Sequence, residues 1–132
     1  LGAAQNTDRN VFCIDGDGSL IMHMGSMHTI SNQMPKNFTH IVLNNFAHDS
    51  VGGQPTYSQH LNLEMIAYGM GYNSYHLCTN KEEITAVWEK LSKTKGPKFL
   101  EVRIKTGSRN NLGRPSSSPI ENKKSFMEHA KY

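Results

Sequence analysis

The chain has 132 residues, 36% hydrophobic and 19% charged, with Lys+Arg 14 against Asp+Glu 11 and a formal net charge of +3. That length makes about one domain, which buries roughly two-thirds of the surface its unfolded form exposes, so a core forms without staples. The basic residues are scattered apart from a loose cluster in the last third, and no aromatic–basic strip accompanies them, which sets nucleic acid aside as a partner. Cys13 and Cys78 lie inside apolar runs, not in a C-x-x-C pair, and so are expected as buried free thiols in a reducing compartment. No apolar stretch approaches the ~20 residues of a membrane span and no signal-peptide pattern is present, so no membrane partner and a cytoplasmic location are expected. Leu1-Gly2-Ala3-Ala4-Gln5 reads like the end of a helix, and a fragment of a longer polypeptide is expected.

In chain order, Val11-Phe12-Cys13-Ile14-Asp15 is a β-branched and aromatic run with a turn-rich end, which predicts a buried strand. After Gly16-Asp17-Gly18, the segment Ser19 to about Gln33 places Leu20, Met24 and Met27 at helical spacing, and Pro35 follows it. His40 to Asn44 predicts a second strand. A loop from Phe46 to about Gln59 leads to a helix near Leu61–Met70, closed by Gly69 and Gly71. A weaker strand spans Tyr72 to Cys78. Thr79-x-x-Glu82 reads as a capping box opening a helix to about Lys93, with Ile84, Val87, Trp88 and Leu91 as its apolar stripe. Lys98 to Ile104 predicts a fourth strand, Gly107–Pro119 an irregular loop, and Glu121–Lys131 a terminal helix. The methionines and Trp88 are expected in the core.

Strands alternating with helices require crossover connections, which predicts an α/β fold: a doubly wound, mostly parallel sheet with helices on both faces. Ligands of such folds sit beyond the carboxyl ends of the strands at a topological switch point. Asp15-Gly16-Asp17-Gly18 ends the first strand and Asn44-Asn45 the second, so adjacent strands would bring these loops together.

Asp-Gly-Asp-Gly is not an EF-hand loop: from Asp15 the sixth position is Leu20 and the twelfth Ser26, where Gly and a carboxylate are required. It is not a Rossmann fingerprint either, because the third glycine position is Ile21, and there is no Walker lysine. A tight turn with Asp17 capping the next helix, or a receiver-like domain with Asp15 or Asp17 as phosphoacceptor, accounts for the tetrapeptide taken alone. His23 and His28, five apart on one helix, do not share a face well enough to bind a metal.

Gly16-Asp17-Gly18, twenty-five intervening residues and Asn44-Asn45 together resemble the signature of thiamine diphosphate (ThDP) enzymes. The chemistry suits that resemblance. Gly16 and Gly18 let the backbone approach a diphosphate, and the N–H groups of Gly18 and Ser19 open a helix toward the anion. Asp17 and Asn45 offer hard oxygen ligands to Mg²⁺. The resemblance implies a further ligand from the carbonyl of Ala47, and a role for Asn44 in holding the loop.

The run Asn44-Asn45-Phe46-Ala47-His48-Asp49-Ser50-Val51-Gly52-Gly53-Gln54-Pro55-Thr56 resembles the phosphonopyruvate decarboxylase family, as do Gly107–Pro115 and Pro119–Lys123. Sulfopyruvate decarboxylases are close relatives. The resemblance implies a single diphosphate- and Mg²⁺-binding domain over residues 1–132. Its activity would be decarboxylation of 3-phosphonopyruvate to phosphonoacetaldehyde and CO₂. His48 and Gln54 are candidates on the substrate side, with Arg109 and Arg114 as weaker ones. It also implies what is missing: a pyrimidine-binding domain, upstream or on another subunit of an oligomer, without which the fragment is expected to be inactive. Another 2-keto acid decarboxylase subunit and a non-catalytic ThDP/Mg²⁺-binding module are the alternatives.

Overall fold

The computed structural model describes residues 1–130. A short helix α1 (Gly2–Gln5) precedes strand β1 (Val11–Gly16). Helices α2 (Asp17–Met22) and α3 (Gly25–Asn32) lead to strand β2 (Phe38–Asn44). A small hairpin, β3 (Ala47–His48) and β4 (Gln54–Pro55), is followed by α4 (Leu63–Met70) and β5 (Ser74–Cys78). The chain closes with α5 (Lys81–Lys93), β6 (Lys98–Arg103) and α6 (Pro119–Ala130).

The main sheet has the order β1-β2-β6-β5 and every pairing in it is parallel. Parallel neighbours force each connection to cross a sheet face, and helices cover both. On one face Leu20, Met27, Leu63 and Ala67, from α2 to α4, pack on Val42, Tyr72 and Phe99. On the other, Leu91 of α5 packs on Cys78, Leu100 and Val102, with Ile84 and Val87 beside it. Strand β6 lies inside the sheet and is buried from Lys98 to Val102. Its two buried charged residues are both partnered, Lys98 by the Leu91 carbonyl and Glu101 by Asn44 and Tyr75.

Several expectations are corrected. The single helix from Ser19 to Gln33 is two, because His23 (φ −124°, ψ 25°) leaves helical geometry and the chain restarts at the poor helix former Gly25. Asp17 is the first residue of α2 and makes no cap hydrogen bond. The reciprocal cap of α5 sits one residue later than predicted. Asn80 accepts from the Glu83 N–H, and Glu83 reaches back to the backbone and hydroxyl of Thr79. Trp88 is 45% exposed and stacks on Phe12 at 5.3 Å, outside the core. Of the methionines, Met27 is fully buried, with Met24 and Met70 against the same cluster, whereas Met22, Met34, Met65 and Met127 are exposed. Cys78 is a buried free thiol; Cys13 is only partly covered. The Phe46–Gln59 loop contains the β3–β4 hairpin and two 3₁₀ turns, Asp49–Val51 and Ser58–His60. Gly71, not Gly69, caps α4 in the left-handed region (φ 98°). Lys131, placed in the terminal helix from sequence, lies outside the described residues. No helix among the described residues is long and apolar enough to cross a membrane.

Candidate functional site

Strands β1 and β2 run side by side with Gly16 opposite Leu43, so the turn after β1 and the Asn pair ending β2 open on the same edge of the sheet. A cleft of about 380 Å³ lies there, and its wall includes Gly16, Asp17, Gly18, Ser19, Asn45, Ala47 and His48. The structure thus brings together every residue expected to hold the cofactor or metal, with one of the two substrate-side candidates. Gln54 is left out. It pairs with His48 across the hairpin, but its exposed side chain lies over Gly52. Arg109 and Arg114 stay on the exposed segment between β6 and α6, away from the cleft, and His23 and His28 belong to different elements. A larger concavity near α1, Pro35 and Lys95 opens at the opposite, amino end of the strands.

Asp17 is 1% exposed. Its Oδ2 accepts from the hydroxyls of Thr56 and, at 2.8 Å, Ser58. Among the described residues no hydrogen bond falls on Oδ1, and no ion pair involves Asp17. A carboxylate held out of water without a cation is costly unless it coordinates one. Asn45 faces the same cleft. Its Nδ2 donates to Asp49 at 2.7 Å and its Oδ1 accepts from Ala47 N–H at 3.1 Å, an Asx turn that leaves the second lone pair of the amide oxygen to the cleft. Asp49 also accepts from Gly107 N–H at 2.7 Å, and Thr106 donates to the Asn45 carbonyl, so the segment after β6 is tied to this loop.

Asn44 holds the loop. It is 1% exposed, accepts from Phe46 N–H and donates to Glu101. Phe46 carries φ 61°, an uncommon conformation for a non-glycine residue, and the turn it makes sends Ala47 and His48 back over the cleft. Gly18 is where His48 lands: a Cβ on Gly18 would lie 2.4 Å from the imidazole. At Gly16, by contrast, a Cβ would meet nothing within 4 Å, so that stretch of backbone is open to a ligand.

Asp15 turns away from the cleft toward His40, whose Nε2 lies 3.4 Å from Oδ2 while Nδ1 lies 3.3 Å from the Tyr72 hydroxyl. Burial lowers the His40 pKa below the ordinary imidazole value against the opposing pull of Asp15, and burial raises those of Tyr72 and Cys13. Thr56, Ser58, Asp49 and Glu101 all support the site and sequence reasoning gave none of them a role. Thr56 closes the quoted run Asn44–Thr56; Ser58 and Glu101 carry no pattern of their own.

Against protein-family models, residues 1–102 match the thiamine pyrophosphate enzyme, C-terminal TPP-binding domain. The chain belongs to that family. Among curated TPP-enzyme relatives, it is 40% identical over 121 residues to a phosphonopyruvate decarboxylase of Streptomyces viridochromogenes, covering 92% of this chain and 30% of that protein. It is 38% identical over 130 residues to the phosphonopyruvate decarboxylase of Streptomyces hygroscopicus, covering 98% and 32%. The chain therefore spans about a third of the length of these two relatives. It covers 69% of the sulfopyruvate decarboxylase subunit beta of Methanococcus maripaludis, at 32% identity over 130 residues. Among solved structures, an enzyme of Mycobacterium smegmatis described as thiamin diphosphate-dependent matches with TM-score 0.66 at 23% identity, over 79% of this chain and 19% of that one. Transketolase of Campylobacter jejuni matches with TM-score 0.58 at 20% identity, over 78% and 16%. These two likenesses bear on the TPP-binding fold alone.

Proposed function

We propose that this chain is the diphosphate- and Mg²⁺-anchoring domain of a ThDP-dependent decarboxylase acting on 3-phosphonopyruvate. The observation that carries the reading is Asp17: a buried carboxylate with no cationic partner among the described residues, on the wall of the same cleft as Asn45. The donors there are oxygens, the ligand type Mg²⁺ takes. Asp17, Asn45 and the carbonyl of Ala47 would hold the ion, with diphosphate oxygens and water filling the rest of its shell. Gly16, whose missing side chain keeps the backbone open, and the N–H groups of Gly18 and Ser19 at the start of α2 would hold the diphosphate. When bound, ThDP supplies the electron sink for loss of CO₂ from a 2-keto acid. The protein's part is to fix the anionic end of the cofactor. His48, seated on Gly18, sets an imidazole at the cleft wall, where it would donate to the substrate carboxylate or carry a proton. Gln54 belongs to the substrate side only if the hairpin rearranges.

The substrate assignment rests on likeness to the two phosphonopyruvate decarboxylases. The names of the sulfopyruvate decarboxylase β subunits support the second reading, a sulfonate-bearing 2-keto acid and a two-subunit enzyme. In either case activation of the cofactor falls to a pyrimidine-binding domain, on the same polypeptide or a partner subunit of an oligomer. The test is calorimetric titration of the chain with ThDP, with and without Mg²⁺, followed by an assay for CO₂ from 3-phosphonopyruvate. Mg²⁺-dependent binding lost in Asp17→Ala, no turnover alone, and turnover on addition of a pyrimidine-binding domain are expected. Unchanged metal dependence in Asp17→Ala, or turnover by the chain alone, overturns the reading.

A further inference from the structure

Glu101 is 2% exposed, in the middle of β6, on a strand that contributes nothing to the cleft wall. Its two oxygens take three donors: Asn44 Nδ2 at 2.9 Å, the Tyr75 hydroxyl at 2.5 Å and Arg103 Nε at 3.3 Å. Strand β6 lies beside β2, and Glu101 stands opposite Val42, within one turn of the pleat from Asn44. A buried side chain so fully engaged in one direction fixes whatever it holds.

What it holds is the orientation of the Asn44 amide. With Nδ2 on Glu101, Oδ1 faces the Phe46 N–H at 3.2 Å and the Ser58 hydroxyl at 2.9 Å. A flipped amide would set its NH₂ against the Phe46 N–H and its oxygen against the Glu101 oxygen, two repulsive contacts in a dry site. The Ser58 hydroxyl, 2% exposed, sits between two acceptors, Asn44 Oδ1 and, at 2.8 Å, Asp17 Oδ2, and shares its single proton between them. The chain of contacts Glu101–Asn44–Ser58–Asp17 ends on the one Asp17 oxygen that is hydrogen-bonded, and it sets which way the other points. Thr56, whose one hydroxyl proton lies within reach of both Asp17 and Ser58, braces the last link. Arg103 adds a second tie to the same loop: its guanidinium carbon lies 5.8 Å from the centre of the Phe46 ring.

We propose that Glu101 is a positioning residue for the metal-binding carboxylate of Asp17, acting through Asn44 and Ser58; this rests on the Mg²⁺-anchoring reading above. Removing Glu101 frees the Asn44 amide to turn, releases the Ser58 hydroxyl, and lets the Asp17 carboxylate rotate away from the cleft. The effect is on metal affinity, and it has to pass through Ser58.

The experiment is a double-mutant cycle on the full chain, read as Mg²⁺ affinity in the presence of ThDP by calorimetry, with thermal midpoints recorded in parallel. Ser58→Ala and Glu101→Ala are each expected to raise the Mg²⁺ Kd about 10-fold, or ~1.4 kcal/mol. The double variant is expected to be no weaker than either, because both cut the same path. Glu101→Gln, which keeps an oxygen for Asn44, is expected to restore affinity to within about 3-fold, under ~0.7 kcal/mol. Additive losses near 100-fold in the double variant point to two independent structural effects and overturn the relay. An unchanged Kd in Ser58→Ala overturns it as well, and that small substitution serves even where Glu101→Ala does not fold. Metal dependence surviving in Asp17→Ala removes the anchoring reading and the relay together, whereas metal dependence lost there but untouched in Ser58→Ala removes the relay alone.

Discussion

Gly16→Ala separates folding from binding more sharply than any other change at the cleft. Gly16 has φ −91° and ψ 157°, an extended conformation open to any L-residue, and its added Cβ would touch nothing within 4 Å. Folding therefore incurs no clash and no backbone strain. The loss of chain freedom in the unfolded state should make the variant as stable as the parent or about 0.4–1 kcal/mol more so. The same methyl enters the space left to the diphosphate. If it displaces the anion from one charge-assisted hydrogen bond, the loss is about 1.5–3 kcal/mol, or roughly 10- to 150-fold in ThDP affinity. Chemical denaturation gives the first quantity and calorimetric titration with ThDP and Mg²⁺ the second. A stable variant that binds ThDP as tightly as the parent would refute the placement of the diphosphate against Gly16. A variant destabilised by more than about 1 kcal/mol would refute the reading of Gly16 as open backbone.

Three further expectations rest on separate contacts. Asp49→Ala removes the acceptor that orients the Asn45 amide and ties down Gly107; Mg²⁺ affinity by calorimetry should fall several-fold while the melting midpoint moves little, since Asp49 is exposed. Asn80→Ala deletes the N-cap of α5 and should cost about 1 kcal/mol in urea unfolding without altering cofactor binding. His40, enclosed by Asp15, Tyr72, Phe38 and Phe99, has its pKa lowered by burial, so the unfolded chain binds its proton first as pH falls. Stability should accordingly decline as pH drops below about 6.5 and level off beneath the folded value. Unfolding curves from pH 8 to 5 should show a shallower decline in His40→Asn, and an identical slope would exclude His40 as the source.

The fold was legible in the sequence because strand and helix periods alternate cleanly and because two polar turns follow two apolar runs. Parallel pairing of β1 and β2 then placed Asp17 and Asn45 together, as the motif implied. Failures occurred where tertiary contacts override local pattern. Trp88 satisfies the helical stripe of α5 but meets only Phe12 at the margin of the sheet. The break at His23 came without a proline to announce it. Thr79 and Asn80 are both good cap residues, and only the geometry selects Asn80. Glu101 carried no signal of its own, because its partners Asn44 and Tyr75 come from two other strands. Gln54 stands directly opposite His48 in the hairpin, where paired residues share a face, yet its side chain folds back over Gly52 and stays off the cleft wall.

The candidate ligands Asp17 and Asn45 leave neighbouring strands of one sheet, and the buried contacts of Asp17 run on to a third. Bound cofactor would therefore favour the intact sheet over any state in which these strands separate. Occupancy is then coupled to survival of the whole domain. Cofactor at 100 times its Kd adds about 2.7 kcal/mol to the free energy of unfolding. For a cell, the supply of thiamine would set how much of this polypeptide escapes proteolysis, beyond how much of it is loaded.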